Sequence, residues 1–153
     1  MLKKQLKQTL HTAEELYYRL VLLVGESNSG KTKFLNEFAK ELNLKVLNIN
    51  LAVSKELLEL NVKQRALALS ECLAHLTEDT KPLIILDNIE ILFDKHLQQD
   101  ALILLQKLSR HRTVLASWNG KISGDKLIYA ETNHPEYRRY ELKDLLFIDL
   151  NNT

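Results

Sequence analysis

The chain is poor in the residues that cross-link and punctuate proteins: one cysteine, two prolines and four glycines in 153 positions. A lone Cys72 excludes an internal disulfide framework and any metal site built from several thiolates. Set among leucines in LSECLAHL, it is expected to be an inert core thiol. Long apolar runs are missing too. No stretch approaches the roughly 18 residues of a membrane-spanning helix. The basic start MLKKQLKQTL has no apolar segment of the signal-peptide kind, so a cytoplasmic protein without a membrane partner is expected. Nor does either sign of charge dominate: 21 Lys and Arg face 20 Asp and Glu, a net +1. That leaves a nucleic-acid contact open but unsupported by net charge.

What is present is globular. Hydrophobic residues make up 45% and charged ones 27%, which argues against disorder. With no repeat, low-complexity tract or linker, residues 1–153 are expected to form one domain with a single core. Leu2, Leu6, Leu10, Ala13 and Tyr17 recur at helical spacing, giving an amphipathic helix over about 2–17. The apolar run LVLLV (residues 20–24) reads as a buried strand, and Phe34, Leu35, Phe38, Ala39 and Leu42 mark one face of a second helix. LKVLNINL (44–51) reads as a second strand. Ser54 is a candidate cap for a helical region reaching about Leu76, with a break near Asn61. After Pro82, LIILD (83–87) is a third strand, apolar throughout, as a sheet covered on both faces requires. Leu97, Ala101, Leu104, Leu105 and Leu108 define another helix. TVLASW (113–118) is a fourth strand, NGKISGD a turn-rich connection and KLIYA (126–130) a fifth strand. The tail YRRYELKDLLFIDL is left as one or two more strands or a short helix. Strand–helix alternation of this kind predicts an α/β fold: a three-layer core around a mostly parallel sheet of about five strands.

Two of the four glycines fall within eight residues, GESNSGKT (25–32). This is the G-x-x-x-x-G-K-[ST] pattern, with an apolar strand before it and an amphipathic helix after it. A loop that wraps phosphates must aim several backbone N–H groups inward. Gly25 and Gly30 allow that backbone path, and the helix start adds unpaired donors and a positive dipole end. The expected nucleotide-binding residues are Gly25, Ser27, Asn28, Ser29, Gly30, Lys31, Thr32 and Lys33. Lys31 would reach the β- and γ-phosphates of ATP, and the Thr32 hydroxyl would ligate Mg²⁺. A second metal-holding acid belongs at the end of an apolar strand, and LIILD supplies Asp87. The strand lying between the two motifs suits the additional-strand class of ATPases.

Hydrolytic relatives place Glu directly after that Asp; here the position is Asn88 and the first acid is Glu90. Glu90 either swings toward the γ-phosphate as the base or is simply solvated. At the end of the fourth strand Asn119 is the candidate to sense the γ-phosphate or the attacking water, against a plain turn role in the Asn-Gly pair. Trp118 is expected to pack rather than stack on a base. Arg110, Arg112, Arg138 and Arg139 are candidates to act across a subunit interface, with a solvated face as the blander account. His11, His75 and His96 lack spaced metal partners, and His134 in NHPEY is expected to be a turn element held by Pro135.

GESNSGKT, LIILDNIEILF, LASWNG and LIYAETNHPEYRRY, in that order, resemble the BrxF family of small P-loop proteins in type 3 BREX bacteriophage-defence systems. The resemblance runs from about Tyr18 to Tyr140, and its specific part is WNG followed by IYAE and HPEY. It implies a prokaryotic ATPase working beside larger BREX components. More broadly the chain is similar to the core of AAA+-type ATPases, but the residues after the fifth strand are too few for the helical lid that usually covers the nucleotide. The leading expectation is therefore an Mg-ATP-binding, ATP-hydrolysing accessory module acting as a homo-oligomer or through a partner. A non-catalytic nucleotide-binding adaptor and a small-molecule kinase are the alternatives. A GTP switch is disfavoured, because no NKxD segment is present to read guanine.

Overall fold

The computed structural model describes residues 1–78, 82–130 and 133–152. Glu131 and Thr132 of the LIYAETNHPEYRRY segment lie outside the described residues.

The elements run α1 (Leu2–Ala13), β1 (Leu20–Gly25), α2 (Lys31–Glu41), β2 (Val46–Asn48), α3 (Ile49–Leu57), α4 (Val62–Leu76) and β3 (Leu83–Asp87). Two 3₁₀ turns follow, Glu90–Phe93 and Lys95–Leu97, then α5 (Ala101–Leu108). The chain continues through β4 (Thr113–Ser123), β5 (Lys126–Tyr129), β6 (Arg138–Glu141), β7 (Leu146–Asp149) and a last 3₁₀ turn, Leu150–Asn152. Five strands form a parallel sheet in the order β2-β3-β4-β1-β7, so β4 lies between β1 and β3. This is the α/β fold expected, with the inserted strand of the additional-strand class.

Alternation along the central strands feeds two cores. Leu20, Leu22 and Val24 of β1 join Leu86, Ala116 and Trp118 in a core that also takes in residues of α3, α4 and α5. Val21 and Leu23 point the other way, with Ile85 and Leu115, onto Leu6 and Leu10 of α1 and Leu35 and Phe38 of α2. Each of the buried leucines, valines, isoleucines and the phenylalanine contributes about 1.5–3 kcal/mol. Both faces are thus covered, which is why β1 and β3 carry no polar residue before their last position. Among the described residues no helix is long and apolar enough to cross a membrane.

Several boundaries differ from the expectation. Helix α1 stops at Ala13, not near Tyr17; Tyr17 is exposed and packs edge-on against Tyr18. The strand expected over 44–51 is only Val46–Asn48, because the Asn48 side chain accepts from the Leu51 amide at 3.0 Å and starts α3 at Ile49. Ser54 therefore lies exposed inside a helix and caps nothing. The break at Asn61 is real: Asn61 and Gln64 form a reciprocal capping box, and Arg65 donates to the carbonyls of Leu57, Leu58 and Leu60 at and just past the end of α3. Leu97 belongs to a 3₁₀ turn, and Asp100 caps α5.

The larger correction concerns NGKISGD. It is strand, not connection, up to Ser123, and the turn is confined to Gly124 (φ +60) and Asp125. KLIYA forms β5 but runs antiparallel, pairing with the extension of β4, and β6 pairs with β5. The fifth parallel strand is instead β7, from the tail. Trp118 anchors this extension. Its indole N–H donates to the Ile128 carbonyl at 3.1 Å, and its ring meets Phe93, Tyr129 and Tyr140 edge-on. Trp118 is fully buried, as a packing residue should be.

Candidate functional site

Because the core strands are parallel, the ends of β1 and β3 and the point where β4 leaves the parallel sheet converge at one edge. The loop leaving β1 turns at Asn28 (φ +67) and Gly30 (φ +92) before entering α2. A Cβ at Gly25 would meet Ser29 Oγ at 2.4 Å, so any larger residue there would displace the loop's serine side chain. The first amides of α2 have no intrahelical partner and are available to an anion.

The Lys31 ammonium is buried and folded back, donating to the carbonyls of Gly25 at 2.8 Å and Glu26 at 2.9 Å. Burial pushes it below its ordinary range, against the opposing pull of Asp87, Glu90 and Glu26. Asp87 is also buried. Its Oδ2 accepts from the Thr32 hydroxyl at 2.7 Å and its Oδ1 from the Ser117 hydroxyl at 2.6 Å. Asn88 follows with φ +53, so the chain leaves β3 by a sharp bend that sets Glu90 at the start of a 3₁₀ turn. There the Glu90 carboxylate accepts from the Asn119 side-chain amide.

A cavity of about 430 Å³ opens at this edge. Ser27, Asn28, Gly30, Lys31, Thr32 and Lys33 line it from the loop, and Asp87, Glu90 and Asn119 close it from the strands. Of the residues expected at the site, only Gly25 and Ser29 do not line it. A second cavity of about 480 Å³ adjoins it, sharing Ser27, Glu90 and Asn119. Thr32 and Asp87 put a hydroxyl and a carboxylate side by side, the oxygen donors that a small hard cation such as Mg²⁺ takes. Two residues had not been singled out. Ser117 belongs on the Asp87 side because it shares the strand parity of Asn119. Asn151 accepts from the Glu26 amide at 3.0 Å and donates to the Gly120 carbonyl at 3.0 Å, and nothing in its local sequence announces this.

The arginines are occupied within the chain or stand apart. Arg110 lies over the Tyr17 ring at 3.4 Å, Arg112 donates to the Thr77 carbonyl, and Arg138 donates to the Tyr137 carbonyl. Arg139 is exposed on β6. Among the described residues no group of three His, Cys, Asp or Glu side chains is placed to hold a metal.

A parallel sheet with a glycine loop, a buried strand-end Asp and a polar Asn from the neighbouring strand beside it defines a phosphate-loop nucleotide-binding protein. Residues 21–143 match the ATPase family associated with various cellular activities (AAA). The chain belongs to that family. A structure of PCH-2 from C. elegans is similar at 21% identity and a TM-score of 0.45, over 80% of this chain and 38% of that one. The chain thus spans well under half the length of that protein. No curated protein sequence matches it. Members of this family commonly oligomerise.

Proposed function

We propose that the chain binds Mg-ATP, hydrolyses it slowly on its own, and serves as an accessory module of a prokaryotic phage-defence assembly of the BREX kind. The observation that carries the catalytic part is the pairing of Glu90 with Asn119 on the wall of the cavity that Lys31, Thr32 and Asp87 also line. The phosphate loop and the α2 amides would hold the triphosphate, with Lys31 released from its two carbonyls to meet the β- and γ-phosphates. Thr32, and Asp87 through water, would hold Mg²⁺, which when bound neutralises charge on the transferring phosphoryl group. Glu90 would take the proton of the attacking water, and Asn119 would orient both. The defence role rests on the motif resemblance of residues 18–140.

The site is open on the Glu90 side, where the second cavity lies. Among the described residues no α-helix follows α5 to cover it. A neighbouring copy or a partner would finish it. ATP turnover across a concentration series, with Lys31→Ala as the blank, tests this. Turnover per chain should rise with concentration. Constant turnover where sedimentation shows only monomer would sink the interface model.

A non-catalytic adaptor is favoured by one observation, the Asn at position 88 where hydrolytic relatives carry Glu. Tight nucleotide binding with no turnover at any concentration, alone or with the large components of such a system, would select it. Phosphate appearing on a small acceptor would select the kinase.

A further inference from the structure

The three antiparallel strands that carry β4 past the phosphate site have two unlike faces. Leu127, Tyr129 and Tyr140 face inward against Trp118. The opposite parity puts Lys121 and Ser123 of β4, Lys126 and Ile128 of β5, and Arg139 and Glu141 of β6 on the outer face. That face holds three cations and one acid, in a chain whose net charge is only +1. Glu141 pairs with Lys126. Lys121 and Arg139 are exposed, and among the described residues neither has an ion-pair or side-chain hydrogen-bond partner.

The placement is ordered. Lys121 stands opposite Ile128, and Ile128 opposite Arg139, so two unpaired cations end a row across three strands, about 10 Å at ordinary strand spacing. A concavity of about 200 Å³ opens among them, with Tyr137 and Ser123 at its sides. At its other end, beyond Lys121 and Ala130, the neighbouring cavity turns acidic with Glu26 and Glu90. Cations spread along a row, instead of converging on one point, suit successive phosphates and not a single anion. A half-buried tyrosine beside them offers a surface on which an unpaired base can stack. The acidic wall would turn such a strand away from the phosphate loop and along the sheet.

We propose that the outer face of the β4–β5–β6 sheet binds single-stranded nucleic acid, with Lys121 and Arg139 on backbone phosphates and Tyr137 against a base. Nothing in this requires ATP turnover, so it stands or falls apart from the ATPase.

The test is fluorescence anisotropy of a labelled oligothymidylate of about 20 nucleotides, without ATP, between about 50 and 200 mM salt. Two phosphate contacts predict a slope of log K against log salt of about −1.4. Lys121→Glu with Arg139→Glu should weaken binding at least about tenfold at low salt and flatten the slope. Tyr137→Ala should weaken it severalfold, and Lys31→Ala should leave it unchanged. These side chains are on the surface, and circular dichroism checks the fold; if the reversal pair fails to fold, the glutamine pair takes its place with a smaller effect of the same sign. No binding at low salt would overturn the proposal, as would variants that bind like the parent. Loss of binding in Lys31→Ala would assign the strand to the phosphate loop instead. Tighter binding of a duplex, or displacement by inorganic phosphate at equal phosphate concentration, would exclude a single-stranded ligand.

Discussion

The Asn119 side-chain amide donates to the Glu90 carboxylate, joining the middle of β4 to the turn that follows β3. The two residues are 29 apart in sequence and meet because β3 and β4 are neighbours in register, Leu86 opposite Ala116. A carboxylate so held has one oxygen committed and a fixed direction, which suits a base that must address one water. Glu90→Gln keeps an acceptor for Asn119 but removes the base. It should retain ATP binding while turnover falls by about 10²–10⁴, the usual worth of a positioned general base. Phosphate release and equilibrium nucleotide binding, measured side by side, check this. Turnover equal to the parent would make Glu90 a solvated bystander.

Ser117 is expected to act through Asp87. It is the donor to Oδ1, and with Thr32 on Oδ2 it fixes the carboxylate plane inside a buried setting. Ser117→Ala leaves that oxygen without a partner, which costs about 1–3 kcal/mol. Thermal unfolding should show a Tm lower by roughly 2–12 °C for a chain of this size. The Mg²⁺ concentration needed for half-maximal nucleotide binding should also rise severalfold, a change that a purely structural role would not produce.

Lys31 gives a pH signature. Burial lowers its pKa in the folded protein relative to the unfolded chain, so between the folded value and 10.5 the unfolded chain binds more protons. Stability from this residue therefore increases as pH rises through that window, and the charged form is the disfavoured one below it. Tyr129 and Tyr140 act oppositely at high pH, because burial raises their pKa and the folded state resists ionising them. Those contributions cancel between the parent and Lys31→Met. The stability of the ligand-free parent, relative to Lys31→Met, should climb as pH rises toward 10.5. A flat difference curve by chemical denaturation would mean that the ammonium is not desolvated.

The parts of this site that were legible in the sequence are those that local chemistry dictates. GESNSGKT needs only its glycines and the helix it opens, and LIILD is apolar to its last residue because both its faces are covered. The pairing of Glu90 with Asn119 was not legible, since it depends on strand register across the sheet. Strand β2 was overextended because Asn48, a polar residue in an apolar run, is a helix cap and not a strand member. NGKISGD misled for a related reason. Glycine normally weakens a strand, but Gly120 sits in one because another backbone passes too close for anything larger.

That close passage makes Gly120→Ala the sharpest test of the extension. A Cβ at this position would fall 1.8 Å from the Ile128 carbonyl oxygen and 2.9 Å from its carbon. Both are backbone atoms of the paired strand, so no rotamer change relieves the clash. The same carbonyl accepts the Trp118 indole N–H, and the Gly120 carbonyl accepts from Asn151, which in turn holds the Glu26 amide. Displacing β5 would break the indole bond and loosen the stack of Tyr129 on Phe93, whose ring centroids are 3.5 Å apart. Overpacking of this kind costs about 1–3 kcal/mol or more. Trp118 is the sole tryptophan and fully buried, so its emission reports on this place alone. In Gly120→Ala the emission should shift to the red while the far-ultraviolet dichroism of the helices is largely kept. Nucleotide affinity should fall with it, because Asn151 can no longer tie the phosphate loop to β4. An unshifted emission with undiminished affinity would show that the extension and the loop are independent.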